Sequence, residues 1–410
     1  MNSPARKTRR PLEGLKVLDL THGVAGPYCT MVLGDLGCDI VKIEKPGRGD
    51  ATRYMNVSER FHTDIPRVGG DYFLAINRNK RAITLELKSP EGRKICEELA
   101  QWADIVVQNF RPGVTQRLGL DYESLRKINP RLIYGNISAY GTEGNMSDKA
   151  GMDIAVQARA GLLRITGAHG SSEPVRPGSS LSDFGGGIYL TTALLAALYD
   201  RERTGEGQEV SVSLLDATMS LLINYSVAVM DGQADVKPLG SGHPQLAPYQ
   251  ALPTADGHVV VATGTNKTYR EFCVAIGDPA LADEPLFATN QTRVRNRQAL
   301  VERLSAVFCQ KTTAQWITLL EKADVPCAPV NDLQTAFGEL EATSPGMTQR
   351  IDHPGVGSLS QLGVPFQFSN CAGDLRRPPP MLGEHTEQVL ADLLGRSPAQ
   401  IAQLREAQVI

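Results

Sequence analysis

The chain has 410 residues with ordinary proportions of charged (21%) and hydrophobic (41%) residues and a formal net charge of -3. That length points to two domains and the composition to a soluble protein. The balance argues against binding nucleic acid through bulk charge, and no run approaches the roughly 18 apolar residues of a membrane span. Seven scattered cysteines with no Cys-x-x-Cys spacing suit a reduced, cytoplasmic protein without a zinc cluster. The basic stretch Arg6, Lys7, Arg9 and Arg10 precedes no apolar signal core and reads as a short disordered tail.

In chain order, Lys16 to Leu20 reads as a buried strand. Gly26-Pro27 then opens a helix expected to run to Leu36 and stop at Gly37, and Asp39 to Ile43 is a second strand. Strand, helix and strand in so short a span indicate a parallel sheet. Arg81 to Leu87 alternates like a strand, Ser89-Pro90-Glu91 opens a helix, and Ile105–Val107 and Leu132–Tyr134 add short strands. Phe184 to Asp200 reads as a helix, Arg201 to Gly207 as a turn, Gln208 to Val212 as a strand and Ser213 to Val229 as one apolar helix. Gly, Pro and polar residues from Asp231 to Pro244 mark a domain boundary.

Beyond it, Pro248–Leu252 and His258–Ala262 flank an Asp256-Gly257 hairpin turn. Helices are expected over Lys267–Ile276, Arg293–Phe308 and Thr313–Lys322. After Pro345 the chain turns strand-rich, passes a proline run and closes in a helix from Thr386 to Leu394. The expected fold is α/β: a large Rossmann-like domain with a parallel sheet from residues 1–230 and 345–410, and a smaller α+β domain from 231–344. Signatures of dinucleotide, P-loop, zinc-peptidase and serine-hydrolase sites are absent.

Asp183 stands out, in Ser182-Asp183-Phe184-Gly185-Gly186-Gly187 at the head of an apolar helix. A carboxylate there meets the positive end of the helix dipole, and three glycines leave room for a large substrate. The residues alone leave two readings open, a helix N-cap and a nucleophilic carboxylate.

A longer series lies in one order: Gly14–Thr21, Ala25-Gly26-Pro27, Asp35-Leu36-Gly37, Val41–Glu44, Pro46–Asp50, Asn77–Arg81, Asn109–Gly113, Leu118-Gly119-Leu120, Ser182–Gly187, Pro248-Tyr249-Gln250 and Gly383–Thr386. The series covers nearly the whole chain. It resembles the class III (family III) CoA-transferases, which include formyl-CoA transferase, carnitine CoA-transferase and α-methylacyl-CoA racemase.

The resemblance implies that Asp183 is the catalytic nucleophile, attacking an acyl-CoA thioester to give a mixed anhydride and CoA thiolate. It implies coenzyme A or acyl-CoA as substrate, no permanently bound cofactor and no metal. It assigns Val24, Ala25, Lys45, Asn77, Arg78, Asn79, Lys80, Asn109, Phe110, Arg111, Arg117 and Met152 to the CoA site. The basic members among these suit the phosphates of CoA, while each taken singly also reads as a solvated surface charge. Backbone N–H groups of Gly185, Gly186 and Gly187 would stabilise an oxyanion, or the glycines serve close helix packing.

Two departures bear on the reaction. The racemases carry a proton-relaying histidine where this chain has Met152 and a glutamate where it has Asn266, which favours transfer over racemisation. Asp153 reads as an orienting group or a helix cap. Val24 stands where formyl-CoA transferase has glutamine, which weakens a formyl or oxalate assignment. Gly240–Pro244 and Ala247–Gln250, with His243 as a contact or a turn histidine, resemble the dicarboxylate-using members such as succinyl-CoA-dependent transferases, which implies a succinyl donor and a dicarboxylate or hydroxy-acid acceptor. The alternatives are a racemase-like epimerase and a non-catalytic CoA-binding protein. The resemblance also implies an interlocked homodimer with its site between the large domain of one subunit and the small domain of the other.

Overall fold

The structure is a computed structural model, and it describes residues 9–58 and 65–410. Arg6 and Lys7 of the basic tail lie outside the described residues, whereas Arg9 and Arg10 are ordered, the Arg9 carbonyl accepting from Ala372 and Arg10 pairing with Asp374 at 2.8 Å. The chain divides into two compact units. The first comprises residues up to Ala160, Pro177–Gly232 and Glu341–Ile410; the second comprises Gly161–Arg176 and Gln233–Leu340. The segment Gly161–Arg176 therefore groups with the second unit, although the sequence order had put it in the first. Backbone bonds explain this: Gly170 donates to Pro238 and Gly240 donates to Gly167.

The first unit is built on six parallel strands: β1 (Lys16–Asp19), β2 (Asp39–Glu44), β3 (Lys80–Thr84), β4 (Ile105–Gln108), β5 (Ile133–Ser138) and β6 (Glu209–Ser213). Their order across the sheet is β3-β2-β1-β4-β5-β6, and every pairing is parallel. Both faces of the sheet's middle are covered, so its inner strands need apolar residues on both sides, as in Ile105-Val106-Val107, while the edge strand β6 alternates. On one face Ile95, Cys96 and Leu99 of helix α2 (Pro90–Trp102) pack with Leu18, Val41 and Val106. On the other, Cys29 and Leu33 of helix α1 (Ala25–Asp35) meet Leu190 and Leu194 of a long helix described below. Burying each such side chain contributes about 1.5–3 kcal/mol before the cost of ordering it.

The strand order reverses at β1 and β4, so the loops leaving their carboxyl ends diverge to opposite sides. That crevice is where open α/β sheets bind ligands. The closing segment belongs to this unit: His385 donates its N–H to Ala82, Glu86 donates to Val409, and Val389 and Leu390 enter the core.

Helix α3 (Val114–Leu118) follows the loop after β4, and helix α4 (Asp153–Arg159) was not anticipated from the sequence. The long helix α5 spans Leu181–Thr204 and so absorbs residues read as the following turn. It is long and apolar enough to cross a membrane by length and composition. Its Leu190, Leu194 and Leu198 are instead buried against the sheet. The apolar run after β6 forms two helices, α6 (Leu214–Leu221) and α7 (Ile223–Met230), separated at Leu222 (φ -98°, ψ 14°).

In the second unit, antiparallel strands Tyr249–Pro253, His258–Ala262 and Cys327–Pro329 pack against helices. The pattern expected over Arg293–Phe308 is interrupted at Asn296, giving helices Asn290–Arg295 and Arg297–Phe308. Its core is aromatic: Phe308 stacks on Trp316 at 4.4 Å, and Phe272 lies 6.0 Å from Phe308. The Trp316 indole N–H donates to the Phe308 carbonyl at 2.7 Å, so its one polar group is satisfied in the core.

Candidate active site

Asp183 is the third residue of α5, not its cap. Ser180 is the N-cap residue and makes no side-chain cap bond. The missing acceptor comes from α4. Asp153 Oδ1 accepts the N–H of Ser182 (3.0 Å) and of Asp183 (3.4 Å), and its Oδ2 accepts from Gln157 Nε2 at 2.8 Å. A carboxylate from another helix thus fills the role of a cap, and the helix starts three residues earlier than read. Asp183 stays in the first turn, where the dipole favours negative charge.

Packing fixes this turn. Thr218 donates its hydroxyl to Ser182 Oγ at 2.7 Å in a buried contact. Phe184 meets Tyr28 of α1 edge-on, with centroids 5.0 Å apart and planes at 75°. The glycines let neighbours approach. A Cβ at Gly186 would stand 2.6 Å from Leu214 Cδ2, and one at Gly187 would stand 2.7 Å from the Ala25 carbonyl oxygen. Gly185 is the least crowded, with Leu221 at 3.1 Å. Gly187 therefore brings the head of α1, with Ala25 and Val24, against the helix that carries Asp183.

At the switch point the loops after β1 and β4 are tied together. Asn109 Oδ1 accepts the His22 N–H at 2.9 Å, and Asn109 Nδ2 donates to the His22 carbonyl at 2.6 Å. The His22 and Phe110 rings lie 5.7 Å apart. Gln108, at the end of β4, accepts from the Phe110 N–H at 2.8 Å and donates to Asn136 at 2.9 Å, which orients the loop from beneath.

Below these loops runs a buried ionic network. Asp19 accepts from Thr21 N–H, Thr21 Oγ1, Thr30 Oγ1 and Lys80 Nζ. Burial would push its carboxyl up, but Lys80, Lys42 and the two threonines outweigh that and hold it at about 2. Burial pulls Lys80 down to about 8, with Asp19 offsetting part of the effect. Lys80 also donates to the Pro27 carbonyl and to Asn77 Oδ1, both at 2.8 Å.

The residues assigned to the CoA site fall into distinct groups. Val24 and Ala25 form the N-terminus of α1, and Asn109 and Phe110 the facing loop. Lys45, Arg111 and Arg117 are exposed, at the end of β2, after β4 and on α3. Asn77, Arg78, Asn79 and Lys80 are buried with internal partners. Asn77 donates to the Phe73 carbonyl. Arg78 pairs with Asp35 at 2.7 Å and donates to the Leu362 carbonyl. Asn79 donates to Asp35 and to the Asp374 carbonyl.

Met152 is the N-cap residue of α4 and 71% exposed. In the second unit, Asn266 Oδ1 accepts from Arg293 at 3.0 Å, and His243 Nδ1 accepts the Gln245 N–H at 3.1 Å, a turn contact. A cavity of about 390 Å³ lies beside Phe110, Arg111 and Gly113, with Tyr122, Asn136 and Glu209 on its walls. It contains neither Asp183 nor the β1–α1 loop.

Sequence reasoning passed over Asp19, Lys42, Asp50 and Gln108 as site-forming residues. The signal was present in Lys42, a charge inside the apolar run Ile40–Ile43: a lysine there must find a buried partner.

The model of CoA-transferase family III matches residues 12–386. The chain is 38% identical to the succinyl-CoA:glutarate CoA-transferase of Mus musculus, over 98% of this chain and 90% of that protein. It is 30% identical to a formyl-CoA:oxalate CoA-transferase of Rhodopseudomonas palustris, over 97% of each. The crystal structure of a CAIB/BAIF family protein from Brucella suis superposes with a TM-score of 0.82 at 35% identity, covering 94% of this chain and all of that one.

Proposed function

This chain belongs to CoA-transferase family III and is a CoA-transferase, and from that premise we propose that Asp183 carries the acyl group. The proposed donor is succinyl-CoA and the proposed acceptor a dicarboxylate such as glutarate, in keeping with the relatives of that specificity. The observation that carries the reading is the placement of Asp183. It is a half-buried carboxylate in the first turn of α5, its backbone held by Asp153, with Gly185, Gly186 and Gly187 just beyond Phe184.

The reaction runs through covalent exchange, which divides one difficult transfer into easier steps. The Asp183 carboxylate adds to the thioester carbonyl, the C–S bond breaks, and CoA leaves as thiolate, giving a mixed anhydride. The thiolate then attacks the Asp183 carbonyl, releasing the first carboxylate and leaving an aspartyl thioester. The acceptor carboxylate attacks that thioester, again expelling thiolate. The thiolate finally takes the acceptor's acyl group and frees Asp183.

In this reading Lys45, Arg111 and Arg117 meet the CoA phosphates, because they are the exposed cations of the assigned set. Val24, Ala25, Asn109 and Phe110 line its path. Asn77, Arg78, Asn79 and Lys80 act from beneath, their polar groups being engaged within the protein. Met152 lies beside the acyl portion and has no proton to relay, which supports transfer over racemisation. The enzyme works as an interlocked homodimer. The exposed apolar side chains Ile223, Val227 and Met230 on α7 support a covered face there.

Incubation with succinyl-CoA followed by hydroxylamine or borohydride, with peptide mapping, tests the proposal. Modification at Asp183 is the expected result. Exchange of an α-proton without CoA exchange would point to an epimerase instead. A stable monomer on size-exclusion chromatography would remove the dimer.

A further inference from the structure

The loop between β1 and α1 owes its shape to side chains outside it. The Thr21 N–H donates to Asp19 at 2.9 Å, and its carbonyl accepts from Lys42 Nζ at 2.6 Å. The His22 N–H and carbonyl are both taken by Asn109, and the Gly23 N–H donates to Asp50 Oδ1 at 3.1 Å. Consecutive backbone groups from Thr21 to Gly23 are thus satisfied by side chains, without a ladder or a helix.

Two of those side chains form a buried ion pair. Lys42 Nζ and Asp50 Oδ2 lie 3.2 Å apart, and their side chains are 0% and 1% exposed. Asp50 Oδ2 has no hydrogen bond beyond that ion pair, while Oδ1 serves Gly23 and Thr52. Lys42 sits on β2 in register with Asp19 on β1, so its side chain reaches the loop from the neighbouring strand. Gly23 (φ +76°) then turns the chain into Val24. Val24 supplies no side-chain cap, so the first N–H groups of α1 take their direction from the loop.

We propose that Lys42 and Asp50 are positioning residues for acyl-CoA: as an ion pair they set the Thr21–Gly23 backbone, and through it the path of Val24 and Ala25. The proposal rests on the reading that CoA lies along this loop. A buried pair of this kind contributes little net stability, because desolvation offsets the attraction. What it supplies is direction, since each charge grips one end of the same three-residue turn. Pairing also neutralises Asp50, which would otherwise repel a phosphate ligand from beneath the loop.

The test uses Asp50→Asn and Lys42→Met in the full-length enzyme. Acyl-CoA and acceptor are varied separately, and CoA binding is measured at equilibrium. The expected result is a rise of about tenfold in the KM for acyl-CoA and in the Kd for CoA. The KM for the acceptor should stay within about twofold. Lower thermal stability with unchanged CoA affinity, or equal rises in both KM values, would overturn the proposal. If these variants do not fold, Asp50→Glu and Lys42→Arg keep the charges but displace them, and the same selective rise is expected. Val24→Glu, at the half-buried residue that leads into α1, separates the underlying reading. If it leaves the CoA Kd unchanged, CoA lies elsewhere and both ideas fall. If it weakens binding while the Asp50 and Lys42 variants do not, only the positioning role falls.

Discussion

The two units bury different kinds of matter. Beneath the switch point of the first lie Asp19, Lys42, Glu44, Asp50, Arg53 and Lys80, all at most 4% exposed. At the centre of the second lie Phe272, Phe308, Trp316 and Tyr269. Even the buried arginines differ. Arg53 binds Glu44 through two contacts of 2.7 Å, whereas Arg293 is held by the Ala247 and Phe287 carbonyls and by Asn266. An aromatic core stabilises without fixing direction. An ionic one costs desolvation but fixes where each backbone group points. The direction-fixing material sits under the loop that leads into α1, the helix packed against α5 at Gly187 and Phe184.

The largest effect should separate chemistry from either core. Asp183→Asn is expected to lower the transfer rate by on the order of 10³-fold or more while leaving the unfolding profile nearly unchanged. Steady-state assays beside thermal denaturation check this. A fall in activity matched by unfolding would undo the separation.

Breaking each core comes next. Trp316→Ala should destabilise the second unit by about 3–5 kcal/mol, and Arg53→Met, which strands Glu44, should cost the first a similar amount. The contrast appears in the double variant. Adding Glu44→Leu to Arg53→Met should recover part of the loss, because an apolar pair needs no desolvation. Denaturant unfolding with a probe in each unit measures these. No recovery in the double variant would mean that the ionic core is optimised for stability after all.

The acid response should belong to the first unit. Asp19 titrates at about 2 in the folded chain against an ordinary value near 3.8. A depressed carboxyl contributes stability above the ordinary value and loses it as the pH falls towards 2. The contribution is roughly 2 kcal/mol, and Asp19→Asn should flatten the stability profile between about pH 4 and 2. A variant with an unaltered acid profile would refute this. The smallest effect is expected at Asp153→Ala, which should cost about 1 kcal/mol as a lost cap and lower kcat more than it raises either KM. Equal rises in KM with unchanged kcat would show that Asp153 serves binding instead.

How much of this was legible follows from range. The inner parallel strands read correctly because a sheet covered on both faces imposes apolar runs, as in Ile105-Val106-Val107, while the edge strands β3 and β6 read by alternation. Helix starts read where the cap was local, as at Ser89, whose side chain accepts from Gly92. The start of α5 did not, because its acceptor, Asp153, lies 29 residues before Ser182. Leu222 interrupts an apolar run without Gly or Pro, so composition gave no warning. Arg78 and Lys80 looked like ligand cations because a sequence does not disclose whether a charge is already answered. Asp35 answers the first across 43 residues and Asp19 the second across 61.

One glycine sets a tolerance for the whole machine. Gly187 stands one turn beyond Asp183 and abuts the Ala25 carbonyl, so the missing methyl is a gauge block between two helices. A methyl there would meet backbone 2.7 Å away and drive the helices apart by a sizeable fraction of an ångström. With Asp183 in its proposed role, misplacement of about 1 Å would cost on the order of 10²-fold in rate, so the clearance of one hydrogen atom would set the working dimension of the site.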